Sequence, residues 1–158
     1  MSKSKIRLHR NFVMMRLFLV ITPVIAYFYV NLLATMASTT LQNILTSSPE
    51  TVLVFIIAMI NPYIAYLLGL VEKKLETNDE QFIVINMVLL ILAQILTMNP
   101  FYFMMLAYLA YRIIKVYKID FKQHLKSFTI KSLFALGGGG FIVIFLSSLC
   151  AFVSSKIA

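Results

Sequence analysis

QFIVINMVLLILAQILTMNPFYFMMLAYLAYRIIKVYKIDFKQHLKSFTIK, residues 81–131, decides how this chain is read. Its first 31 residues, 81–111, carry no charge. An uncharged apolar run longer than about 18 residues belongs in lipid. The remainder is basic, with Arg112, Lys115, Lys118, Lys122, Lys126 and Lys131. Asn99-Pro100 interrupts the apolar part near its middle, so the chain either crosses once or turns back there. One helix over 81–111 would be about 46 Å long at the helical rise, against a hydrocarbon layer of about 30 Å. It would also separate the six basic residues from Lys73 and Lys74. A turn at Asn99-Pro100 joins both groups to Lys3, Lys5, Arg7, Arg10 and Arg16. Thirteen of the fourteen Lys and Arg residues then share one side, and only Lys156 lies across. Cytoplasmic loops carry such an excess. The reading is a helical hairpin of two spans, 82–98 and 101–117.

Outward from the hairpin, three further spans are expected at 17–37, 51–71 and 132–153. The chain is then an all-α, polytopic membrane protein in one domain. It has five transmembrane helices, its amino terminus in the cytoplasm and its carboxyl terminus outside. Residues 1–16, 72–81 and 118–131 form the cytoplasmic segments, and a Ser- and Thr-rich loop at 38–50 lies outside. Pro23 and Pro62 fall inside spans and should kink them, because proline lacks the backbone donor. The basic start followed by 21 uncharged residues also resembles a signal peptide, with Thr35-Met36-Ala37 as a cleavage site. That apolar run exceeds the usual signal-peptide core, which favours an uncleaved span. Residues 22–27 and 61–66 are similar at an offset of 39 residues, but successive spans run in opposite directions, which argues against duplication.

Composition agrees. Of 158 residues, 61% are hydrophobic and 13% charged, and the mean hydropathy is +0.90. Soluble domains hold about 45–50% apolar residues, so the excess calls for lipid and leaves no room for a separate soluble domain. The net charge of +8 reads as cytoplasmic loop bias, since no nucleic-acid-binding module accompanies it. The single cysteine, Cys150, excludes an intrachain disulfide. Ten Lys to four Arg, with abundant Ile and Phe, suggest an AT-rich bacterial genome, and hence the bacterial cytoplasmic membrane.

Candidate chemistry is sparse. Apart from Arg112 and Lys115 at the inner end of 101–117, the spans hold no Asp, Glu, Lys, Arg or His, whereas proton relays need a buried ionisable group. His9 and His124 have no Cys, Ser or carboxylate at catalytic or zinc spacing. No enzyme activity, metal or cofactor is expected. The spans do contain Asn31, Asn61, Asn86 and Gln94, and the last holds Gly137, Gly138, Gly139 and Gly140. Amides bond between helices and glycines let helices approach closely. The same residues also suit a polar mid-membrane cavity, with the glycine run as a hinge or a tight crossing. Taken as a helix, 114–128 puts Lys115, Lys118, Lys122 and Lys126 beside an apolar face, an amphipathic segment for the anionic inner leaflet. The expected function is non-catalytic: packing against a larger membrane partner or a second copy, in an accessory, assembly or immunity-type role. The alternative is a solute- or ion-permeating subunit built on the polar cavity.

Overall fold

The computed structural model describes residues 3–120 and 130–157, and its elements are all α-helices. They are α1 (Lys3–Met36), α2 (Leu41–Ser47), α3 (Pro49–Glu76), α4 (Glu80–Leu96), α5 (Pro100–Tyr117) and α6 (Ile130–Ile157). Three are long and apolar enough to cross a membrane: α1, α3 and the Ala135–Ile157 part of α6. The hairpin helices α4 and α5 are shorter, at 17 and 18 residues.

The turns follow from side-chain caps. Asp79 accepts from the Phe82 amide at 3.3 Å, and Asn99 from the Tyr102 amide at 3.4 Å. Each supplies an acceptor for a backbone donor that has no partner inside the helix. Pro100 occupies the first turn of α5, where its missing donor costs nothing. Asn78 and Met98, each just before its cap residue, take left-handed φ values of 53° and 49° and reverse the chain tightly. Ser48 caps α3 in the same manner, with Pro49 opening the helix. Asn61-Pro62 makes no turn, and α3 runs through it unbroken.

α1 packs along α3, α4 along α6, and α5 against α1 and α4. Leu8, Phe12, Met15 and Leu19 form one buried stripe of α1, spaced by three or four residues as one helix face requires. They meet Leu68, Val71 and Leu75 of α3 and Leu90, Leu106 and Ile113 of the hairpin in a single core. The outward faces stay apolar: Phe28, Leu32, Met59, Met104, Phe145 and Phe152 are all exposed. In water such a surface would drive aggregation; against lipid it is the expected exterior.

The structure adds detail to several expectations. Residues 3–16, expected as part of a cytoplasmic segment, are helical, since α1 starts at Lys3 and buries Leu8, Phe12 and Met15. The outer loop 38–50 contains α2, capped by Thr40. The charged run 72–80 is mostly helical, with only Thr77, Asn78 and Asp79 between α3 and α4. The helical face drawn over 114–128 is interrupted after Tyr117, where Lys118 takes a left-handed φ of 56° and ends α5, and its 121–128 part lies outside the described residues. Of the two readings of the glycine run, the tight crossing fits, as α6 is continuous across the four glycines and none has a positive φ.

Candidate functional site

Two ends of the bundle differ in chemistry. At one end, His9 Nδ1 lies 2.7 Å from Glu72 Oε1, and Arg16 Nη1 3.4 Å from Glu72 Oε2. The Arg16 guanidinium crosses Gly69, where an added methyl carbon would lie 3.2 Å from Cζ. Lys5 sits 4.9 Å above the Tyr117 ring, and Lys74 pairs with Asp79 at 3.0 Å. The start of α1, the end of α3, the start of α4 and the end of α5 therefore meet, and every Lys and Arg of α1, α3 and α5 lies toward this end. Sequence reading grouped these charges but missed Gly69, whose only signal is a lone glycine inside an apolar run.

The other half of the bundle holds a cleft of about 400 Å³ between α1, α3 and the α4–α5 turn. Ile25, Tyr29, Val54 and Ile57 give it apolar walls, while Asn61, Thr22 and Asn99 add polar atoms. Asn61 is 2% exposed, and its amide nitrogen has no hydrogen-bond partner. Two hydroxyls nearby are already used. Thr22 Oγ1 donates to the Phe18 carbonyl at 2.9 Å, Tyr102 Oη lies 3.1 Å from the same carbonyl, and the two hydroxyls also contact each other. Pro62 has no amide hydrogen to donate to the carbonyl of Ala58, a residue that also lines the cleft. An unpartnered donor and a carbonyl deprived of its usual helical donor thus lie one turn apart on α3.

The remaining predicted residues lie elsewhere. Asn31 donates to its own helix, to the Tyr27 carbonyl at 2.8 Å. Asn86, 1% exposed, donates to the Phe82 and Leu136 carbonyls, each at 3.0 Å, and so ties α4 to α6. Gln94 is equally buried, its Oε1 unpartnered, beside a separate depression at the hairpin turn. Gly137 and Gly140 pack against Leu89, Gly139 packs against Leu67, and Gly138 has open space beside it. Asn61 and the glycines therefore do not share one cavity. Lys122, Lys126 and His124 fall outside the described residues, while Lys115 and Lys118 stand at the end of α5. Cys150 lines an apolar groove with Leu45, Leu53 and Leu149. Among the described residues, no group of three or more His, Cys, Asp or Glu is placed to hold a metal.

Among the described residues, these features define an all-helical fold with three helices long and apolar enough to cross a membrane, compatible with a membrane protein. No family model, curated protein or solved structure matches it.

Proposed function

We propose that this chain is a small integral protein of a bacterial cytoplasmic membrane that works by helix packing. It crosses five times, amino terminus inside and carboxyl terminus outside, and acts on a larger membrane partner or a second copy in an accessory, assembly or immunity-type role. One observation carries the reading: long helices with apolar outward faces surround an interior in which two polar contacts join helix to helix. Asn86 to Leu136, and Thr22 with Tyr102 to Phe18, are such joints.

Helix lengths support three of the crossings: Arg16 to Met36 on α1 spans about 30 Å and Glu50 to Glu72 on α3 about 33 Å at the helical rise, and the Ala135–Ile157 part of α6 is long enough as well. The other two crossings rest on α4 and α5, which are shorter at about 26–27 Å. The basic end suits the anionic inner leaflet, where each surface Lys or Arg contributes about 1 kcal/mol.

Reporter fusions and cross-linking test the proposal. A reporter active only in the cytosol works when inserted after Lys118 and stays silent when fused after Ala158. Phe145→Cys, made in a Cys150→Ser background, gives one defined cross-linked species in native membranes. A cytosolic carboxyl terminus sinks the topology. A strictly monomeric, partner-free particle in mild detergent sinks the packing role.

A further inference from the structure

We propose that the seam between α1 and α3 holds one phosphatidylethanolamine molecule, its phosphate at Arg16 and Lys73, its ammonium at Glu76 and an acyl chain along the apolar part of the seam. Two depressions lie end to end there. The first, of about 240 Å³, is lined by His9 and Arg16 of α1 and by Gly69, Glu72, Lys73 and Glu76 of α3. The second, of about 490 Å³, is lined by Val13, Leu17 and Val20 of α1 and by Pro62 and Ala65 of α3. Arg16 and Tyr66 belong to both, so the polar and apolar parts form one groove. The lining recurs at positions 9, 13, 16, 17 and 20 and at 62, 65, 69, 73 and 76, the spacing of a single face on each helix.

The inference rests on the reading that α1 and α3 cross the membrane with their basic end among the headgroups, but not on the packing role. From Gly69 to Pro62 the groove then descends about 10 Å, some two-thirds of the roughly 15 Å of hydrocarbon in one leaflet. Val13, Leu17, Val20 and Tyr66 are exposed along it and face lipid. A depression left unfilled forfeits dispersion contacts on its open side, so an acyl chain occupies it. The charges select the headgroup. Arg16 and Lys73 balance Glu72 and Glu76. Glu72 is already held by His9 and Arg16, whereas Lys73 and Glu76 have no ion-pair partner among the described residues. A guanidinium has five N–H donors, and Arg16 gives one to Glu72, which leaves others for a phosphate. Lys73 lies one helical turn beyond Gly69 and Glu76 nearly one turn further, so apolar wall, cations and carboxylate follow the order of acyl chain, phosphate and ammonium in the lipid. A purely anionic headgroup, such as phosphatidylglycerol, would leave Glu76 beside a like charge. A choline ammonium has no N–H to donate. A primary ammonium donates three hydrogen bonds, as lysine does, and so satisfies the carboxylate.

The test uses the full chain in nanodiscs of equimolar phosphatidylethanolamine, phosphatidylglycerol and phosphatidylcholine with identical acyl chains. Detergent then releases the chain with the lipid it retains, and native mass spectrometry counts each class. One phosphatidylethanolamine per chain should be retained, about two- to fivefold in excess of either other lipid, the preference expected of one exposed ion pair. Glu76→Gln, at an exposed position, should bring phosphatidylethanolamine level with phosphatidylcholine. Lys73→Gln, also exposed, should lower retention of all three lipids, since each carries the phosphate. Val13→Phe, at an exposed wall position, should lower all three without altering their ratios. Equal retention of the three classes by the native chain overturns the proposal, and so does a phosphatidylethanolamine preference that survives Glu76→Gln. Excess phosphatidylglycerol also overturns it and leaves these residues as a general attraction for anionic lipid. Carbonate extraction of vesicles holding the chain separates this inference from the reading beneath it. A chain released by carbonate overturns both, whereas one that stays in the bilayer without lipid preference overturns this inference alone.

Discussion

Gly140 and Gly138 sit two residues apart on α6, and alanine at each should have opposite consequences. A methyl carbon built at Gly140 falls 2.7 Å from Leu89 Cδ1 and 2.9 Å from Leu89 Cβ. Carbon atoms prefer about 3.5–4.0 Å. The δ methyl can rotate aside, but Cβ is fixed to the α4 backbone, so α4 and α6 must separate by several tenths of an ångström. Overpacking of this kind costs about 1–3 kcal/mol. At Gly138 a new methyl meets nothing within 4 Å. There only the backbone term remains, a gain of about 0.4–1 kcal/mol. Both variants make the same Gly→Ala change in the same helix, so that term cancels in their difference. Gly140→Ala should therefore be less stable than Gly138→Ala by about 1–3 kcal/mol, a factor of roughly 5–150 in the unfolding equilibrium. Reversible unfolding in mixed micelles, followed by helical circular dichroism, measures it. Leu89→Ala in the Gly140→Ala background should recover part of the loss, since contacting sites are non-additive. Two variants within about 0.3 kcal/mol of each other, inside the usual additivity error, would refute the α4–α6 packing described above.

Asn86→Leu breaks the bond to Leu136 and should cost about 0.6 kcal/mol, up to about 1.7, whereas Asn61→Leu should be neutral or stabilising in the same unfolding assay. Glu72→Gln weakens the contacts to His9 and Arg16; the loss should be about 0.2–1 kcal/mol and should shrink between low and high salt, because these groups are partly exposed. Gln in place of Lys115, Lys118, Lys122 and Lys126 together should weaken retention of a peptide covering residues 112–131 on anionic vesicles, and unaltered sedimentation with those vesicles would remove lipid contact as their role. Gly69→Val should displace the Arg16 guanidinium from Glu72 and lose as much stability as Glu72→Gln; additive losses in the double variant would show that the two act separately.

The hairpin at Asn99-Pro100 was legible because the apolar run is too long for one crossing and a turn there groups the positive charges. Both signals are read along the chain without any partner. The same logic kept α3 whole through Asn61-Pro62, since each half was too short to cross alone. The packed start of α1 was hidden for the opposite reason. Lys3, Lys5, Arg7 and Arg10 alternate with Ile6, Leu8, Phe12 and Met15, and charge dominates any average over that window. Whether Leu8 and Phe12 are buried depends on α3 and α5 supplying a surface there, and no local rule reports that surface. The glycine run was ambiguous in a related way. Four glycines suit a break or a close approach equally well, and Leu89 with Leu67 decides for approach.

Helical class, the length and apolar character of the long helices and the grouping of positive charge were set by the order of residues alone, because hydrophobicity, charge and capping act over a few positions and sum along the chain. The fate of each amide was not. Asn31, Asn61, Asn86 and Gln94 are alike as neutral polar residues in apolar helices. One bonds its own helix, one bridges to α6, and two keep an atom without a partner. A hydrogen bond needs a specific atom about 3 Å away. Which atom arrives there is determined only when distant helices close around it.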